Sequence, residues 1–209
     1  MLKEAIQEAK ELFEIATKID GFKDFILGNN KDFNITELWD NGIEYNCGCT
    51  KHVFWLEDKM EYVFKIDIDN KYCEKEYEIY QKAKEAGISN LFAEVYYIGQ
   101  IFGKNIYAMD YAYVSEDDIE NDYYKKNYEF GLTDDEIEEN LSELNSEDIV
   151  LSLFEFYYSV NLIKKLAKFI RQNQLGDFHG ENVGYIDNRL VFIDYSGYWG
   201  KLWIKIIKK

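Results

Sequence analysis

Apolar residues at Leu2, Ala5, Ile6, Ala9, Leu12, Phe13, Ala16 and Ile19 recur at spacings of three and four, which predicts an amphipathic opening helix with Gly21 as its C-cap. Phe22 to Asn34 mixes aromatics with Gly28, Asn29 and Asn30, the texture of a short second helix or an irregular segment. After Gly42 the pattern changes. Val53-Phe54-Trp55-Leu56 and Tyr62-Val63-Phe64-Lys65-Ile66 are β-branched and aromatic runs joined by a polar connection, and they predict an antiparallel hairpin. Tyr72 to Glu85 carries one apolar stripe among Glu and Lys, so a helix ending at Gly87 is expected. Ala93 to Gly99 and Asn105 to Tyr111 read as two further strands around a turn near Gly103. The first half is therefore expected to be a helix packed on about five strands.

Ser115 to Asp148 is dense in Asp and Glu and predicts a solvated helical insertion. Ile149 to Ile170 is apolar on nearly every side, which predicts one helix running through a core. A polar loop, Gly176 to Asn182, then leads into a short hairpin, Val183 to Ile193, with Asp194 at its exit. The fold class expected is α+β.

Composition narrows the functions open to such a chain. With 47% hydrophobic and 17% aromatic residues in 209 positions, it can bury a substantial core in one domain or two small lobes. The formal net charge of −16 opposes binding to nucleic acid, whose affinity rests on neutralising phosphates. The 18 tyrosines have no basic groove beside them, so they read as packing residues and not as a base-stacking platform. No apolar run reaches the roughly 20 residues needed to span a bilayer, so no membrane partner is expected. Three cysteines, Cys47, Cys49 and Cys73, and no signal-like N-terminus suit a reducing cytoplasm. Cys47, Cys49 and His52 crowd one short segment in no common zinc spacing, and ordinary thiols are expected there.

Phosphoryl transfer from a nucleotide needs metal ligands at the phosphates, a cation to hold them and a carboxylate aligned on the attacking hydroxyl. Asp177 and Asn182, five residues apart on a polar loop, and Asp194, delivered by the next hairpin, form an oxygen-rich set suited to magnesium. Asp and Asn in loops also cap backbone amides, the alternative reading of the same residues. Gly176-Asp177-Phe178-His179-Gly180-Glu181-Asn182-Val183 is similar to the Gly-Asp-Leu-His-x-x-Asn-Val catalytic loop of the aminoglycoside and choline kinases. These are small-molecule members of the protein-kinase-like superfamily. Ile193-Asp194-Tyr195-Ser196-Gly197 resembles that family's metal-binding Asp-Phe-Gly element, and Val63-Phe64-Lys65-Ile66 resembles its Val-Ala-Ile-Lys strand. Gly48-Cys49-Thr50-Lys51-His52-Val53 resembles the end of its glycine-rich phosphate loop, and Met109-Asp110-Tyr111-Ala112 falls where its hinge binds adenine. The likeness runs over roughly residues 42 to 197, with the motifs in the family's order.

The resemblance implies a two-lobed protein-kinase-like fold: a helical extension over residues 1–41, an N-lobe and hinge over 42–112, and a strongly reduced helical C-lobe over 113–209. It implies ATP and Mg²⁺ as cofactors. Asp177 becomes the catalytic base or hydroxyl positioner, and Asn182 and Asp194 the magnesium ligands. Lys65 becomes the phosphate cation, paired with Glu76 in preference to Glu74 or Glu78. Gly48 contributes to the phosphate loop, and Met109 and Tyr111 to the adenine hinge. Only 15 residues follow Asp194, so the helices that seat peptides in protein kinases are not expected. The acceptor is then a hydroxyl on a small molecule or on a protein held differently. AMP transfer, or a nucleotide-binding module without turnover, are the other activities such a fold supports.

Overall fold

In a computed structural model, which describes residues 1–48, 50–68, 72–114, 116–143, 146–176 and 182–196, the strand-forming runs pair much as their side-chain alternation requires. The chain divides into two units, Met1–Tyr80 with Glu94–Tyr111, and Gln81–Ala93 with Ala112–Lys209. No helix among the described residues is long and apolar enough to cross a membrane.

The first unit is built on a five-stranded antiparallel sheet of order β1-β2-β3-β5-β4, comprising β1 (Ile43–Cys47), β2 (Lys51–Leu56), β3 (Lys59–Asp67), β4 (Val95–Ile101) and β5 (Lys104–Asp110). The two-residue period sorts its side chains by face. Phe54, Leu56, Tyr62, Phe64, Ile66, Ile106 and Ala108 share a core with α1 (Leu2–Ala16), α2 (Phe22–Ile26) and α3 (Thr36–Trp39). Phe13, Phe22 and Phe54 meet there edge to face, with centroids 5.9–6.2 Å apart. Residues of the opposite parity, Lys51, Val53, Val63, Lys65, Asp67, Tyr107 and Met109, form the other face, and α4 (Tyr72–Glu85) packs there. Asp67 starts that helix: its Oδ1 accepts the backbone N–H groups of Tyr72 (3.0 Å) and Cys73 (2.9 Å), which have no partner inside the helix. Gly87, in the left-handed region at φ 66°, ends it; Gly87 N–H donates to Lys84 O and Ile88 N–H to Ala83 O.

The opening helix is shorter than its periodicity predicts. Thr17 turns its hydroxyl back onto Phe13 O at 2.7 Å, and Lys18 and Ile19 take i−3 partners, so α1 stops at Ala16. Gly21, at φ 76°, precedes α2 and does not cap α1.

The second unit holds α5 (Glu116–Glu129), α6 (Asp134–Glu143), α7 (Ser146–Tyr157), α8 (Val160–Asn173) and the hairpin of β6 (Val183–Ile186) and β7 (Arg189–Phe192). The single helix expected over Ile149 to Ile170 is two. Ser159 leaves helical geometry (φ −65°, ψ 148°), and its carbonyl starts α8 by accepting Leu162 and Ile163 N–H. One straight helix that is apolar all round would leave part of its surface bare; the break lets α7 bury Val150, Leu153 and Phe154 while α8 buries Ile163, Leu166, Phe169 and Ile170. Nor is the acidic segment simply solvated: Ile119, Tyr123 and Ile137 are buried, and Asp122 accepts the hydroxyls of Tyr157 and Tyr185.

Glu8 on α1 is buried with Oε1 unpaired, near Lys59, Glu61 and Tyr62 of β3 and Glu11 of its own helix. Burial, reinforced by the Glu61 carboxylate and opposed by Lys59, raises its pKa from 4.5 to about 7. The folded state therefore holds this proton more tightly than the unfolded chain, so the stabilisation is complete below pH 4.5 and is lost as pH rises through about 7. His52 has the opposite slope. Burial first, then the Lys104 charge, lower it from 6.5 to about 4, so its contribution is present above 6.5 and lost as pH falls through 4. Glu8→Gln is expected to raise the thermal midpoint above neutral pH and leave the His52 slope as the acid-side dependence. A midpoint that stays as pH-dependent as that of the wild type on the alkaline side would show that Glu8 does not titrate there.

Candidate functional site

The first unit carries a buried cluster of charge on the α4 face of the sheet. Lys65 lies one pleat from Asp67 on β3, and Lys51 lies directly opposite Asp67 across the β2–β3 pairing, so all three point to the same side. From α4, Glu76 reaches both lysines. Its Oε2 is 3.2 Å from Lys65 Nζ and its Oε1 is 2.5 Å from Lys51 Nζ. Glu76 is wholly buried, and Lys51, Lys65 and Asp67 are each less than a tenth exposed. Charges removed from water to this degree are tolerated only when paired, and the shared carboxylate meets that condition. Cys73, one turn before Glu76, has its thiol pushed well up by burial, then by the Glu76 and Asp67 carboxylates, so it stays protonated.

Gly48 is exposed in the connection from β1 to β2, with nothing within 4 Å of where a Cβ would stand. Met109 is buried on β5, in register with Val63 and Val95 on the two flanking strands. Tyr111 donates its backbone N–H to Glu61 O at 2.9 Å, so this amide belongs to the sheet, and its ring lies 6.4 Å from that of Trp55. An adenine held by this segment would have to use groups other than the Tyr111 amide.

In the second unit the hairpin register, Val183 opposite Phe192, brings the two proposed magnesium ligands together at its open end. Asn182 O accepts the backbone N–H groups of Ile193 (2.9 Å) and Asp194 (3.4 Å). Asn182 is buried, Asp194 is half-buried, and Asp194 Oδ1 accepts the Ser196 hydroxyl at 3.2 Å. The fully buried Tyr195 anchors this exit: its ring meets Phe92 at 5.0 Å and its hydroxyl donates to Ala93 O at 3.0 Å. The residue that replaces phenylalanine in the Asp-Phe-Gly likeness thus fixes the backbone next to the carboxylate. Asp177 and His179 lie outside the described residues, as does Cys49. Among the described residues no three His, Cys, Asp or Glu side chains are placed to hold a metal ion. His52 instead packs its ring 4.8 Å from Phe25 and pairs Nδ1 with the Tyr45 hydroxyl at 2.9 Å.

Sequence reasoning missed Lys51 and Asp67. Lys51 shares parity with Val53 and Trp55, a signal that it faces α4, but beside Cys49 and His52 it was read only as part of a loop. Asp67, followed by Asp69 and Asn70 just before a helical pattern, carries the composition of a helix start. Comparisons of the chain with protein-family models, with curated proteins and with solved structures found no match.

Proposed function

We propose that the chain is an ATP- and magnesium-dependent phosphotransferase of the protein-kinase-like fold, acting on a hydroxyl of a small molecule or protein. One observation carries the reading: a lysine on the third strand of an antiparallel sheet meets a glutamate on the following helix in a buried pair, Lys65 with Glu76 at 3.2 Å. The pairing was expected from the motif likeness alone, and a random lysine and glutamate on this acidic chain have no reason to be buried together. The backbone pairing of Asn182 with Ile193 and Asp194 adds support, because it holds two residues with oxygen-bearing side chains at one end of the hairpin, and such oxygens suit a hard cation.

In this reading Lys65 holds the phosphates, Glu76 fixes the direction of that ammonium group, and Asn182 and Asp194 hold magnesium, which neutralises charge on the phosphates when bound. Asp177 orients the acceptor hydroxyl and takes its proton as the hydroxyl oxygen bonds the γ-phosphorus and the bond from that phosphorus to the bridging oxygen breaks, releasing ADP. Thermal melts with ATP, GTP and AMP, each with and without Mg²⁺, test it. Stabilisation by a nucleoside triphosphate only when metal is present is expected; no nucleotide-dependent shift under any condition would end the proposal. Transfer of label from γ-labelled but not α-labelled ATP distinguishes phosphoryl from AMP transfer.

A further inference from the structure

We infer that the side of α1 next to the start of β3 is a binding site for a small organic amine, whose ammonium group sits between Glu8 and Glu61. The inference stands apart from the phosphotransferase reading. An open hollow of about 420 Å³ is walled there by Glu4, Gln7, Glu8 and Glu11 of α1 and by Lys59 and Glu61 of β3. Its volume is in the range of small-molecule sites. The four α1 residues follow one another at spacings of three and four, so one side of the helix forms the wall. Glu8 is 6% exposed, and its Oε1 has no hydrogen-bond partner. A buried carboxylate oxygen left unpaired is costly, and a donor entering the hollow would remove that cost.

The charges in the wall leave this place to a ligand. Lys59 is held by Glu11 at 2.5 Å and Glu4 is paired with the Met1 amine, while among the described residues neither Glu8 nor Glu61 forms an ion pair, with Lys3 or any other cation. Instead Glu8 holds a proton up to about pH 7, through burial first and the Glu61 carboxylate second; Lys59 and the Tyr62 backbone oppose the shift, and Glu11 adds to it. An alkylammonium keeps its own proton to about pH 10 and can take the place of the one on Glu8. Glu8 then releases its proton to solvent, and the ammonium N–H donates to the carboxylate in a charge-assisted hydrogen bond. No covalent bond of the amine changes. Among the described residues no three His, Cys, Asp or Glu side chains are placed to hold a metal ion, so the spread carboxylates suit a larger cation with directed N–H donors. The stems of Gln7 and Lys59 offer methylene surface to its carbon chain.

Calorimetric titrations of the whole chain with butylamine and spermidine, and with butanol as the neutral control, test the site at pH 6 and pH 8 in the wild type, Glu8→Gln and Glu61→Gln. The amines are expected to bind the wild type about tenfold more tightly at pH 8 than at pH 6, as a site that needs the ionised form of a group titrating at about 7 requires. At pH 6 the heat should vary with the ionisation enthalpy of the buffer, because a proton is released, and butanol should not bind. Glu8→Gln should lose about tenfold or more in amine affinity at pH 8, the order of a charge-assisted hydrogen bond, together with the pH dependence. Glu61→Gln should bind more weakly at both pH values and still release a proton at pH 6. A Glu8→Gln protein that binds the amines as tightly as the wild type at pH 8 overturns the inference, since the amines would then be drawn only to an acidic surface. So does a wild type that binds neither amine at millimolar concentration. Should Glu8→Gln fail to fold, the wild type decides: amine binding at pH 6 without proton release overturns the inference. Each of these outcomes leaves the nucleotide melts, and with them the phosphotransferase reading, untouched.

Discussion

Glu76→Ala is expected to destabilise the protein by about 3–5 kcal/mol, because it removes a buried carboxylate that two buried lysines share. The usual cost of breaking a buried pair comes from one orphaned charge. Here Lys51 and Lys65 both converge on the same carboxylate, and each is less than a tenth exposed. Relaxation limits the loss, since a lysine can swing its long stem outward or release its proton. Glu76→Gln keeps an acceptor oxygen in nearly the same place and should cost less than Glu76→Ala. Combining Lys51→Met and Lys65→Met with Glu76→Gln should recover much of the stability, because replacing a whole buried ionic group by apolar residues of similar size is often neutral. Urea unfolding followed by tryptophan fluorescence measures all of these. A Glu76→Ala midpoint indistinguishable from that of the wild type would mean that the carboxylate is not the centre of the cluster.

Legibility in the sequence followed how much each element depends on side chains. α4 spans Tyr72–Glu85, as its stripe of Tyr77, Ile79, Tyr80 and Ala83 predicts, because apolar residues recur there at helical spacing. The strands around Phe54, Phe64, Val95 and Ile106 were legible for a similar reason, although β2 and β3 run further into polar residues than hydrophobicity alone indicates. Backbone pairing does not ask what the side chain is, so Lys51 and Lys59 join a ladder that composition assigns to loops. β1 was missed because only Ile43 of its five residues is buried, as befits an edge strand. The division between α7 and α8 was hidden by excess: apolar residues on every side gave no gap in the pattern, and the break at Ser159 is a backbone event.

The candidate site divides along the same line. Lys65, Asn182 and Asp194 could be named because they stand in short runs that resemble motifs, and Glu76 only as one of three acidic residues on the following helix. Lys51 could not, since its role comes from a cross-strand neighbour, Asp67, and from a helix 25 residues away. Strand parity gives the face that Lys51 takes but not the partners it meets there.

Asp194→Asn is expected to remove most of the magnesium dependence of nucleotide binding while leaving the fold in place. The substitution keeps the size of the side chain and one oxygen able to accept the Ser196 hydroxyl, and it alters neither the Ile193–Asn182 backbone bond nor the buried Tyr195 anchor. The apo protein should therefore melt within a degree or two of the wild type, as expected for a substitution at a half-buried position with its contacts kept. What is lost is formal charge. A hard divalent cation prefers anionic oxygen, and a neutral amide oxygen at position 194 takes away the carboxylate that would bind it. Even supporting residues around a metal typically cost about 10–100-fold in affinity when replaced, so a direct ligand should cost at least about tenfold in Mg²⁺-dependent ATP affinity. Binding of ATP without metal should be unchanged or slightly tighter, because a negative charge near the phosphates has gone. Titrations of ATP with and without Mg²⁺ on the two proteins separate these components. Equal Mg²⁺ dependence in both would take Asp194 out of the metal site and leave its carboxylate as a partner of Ser196.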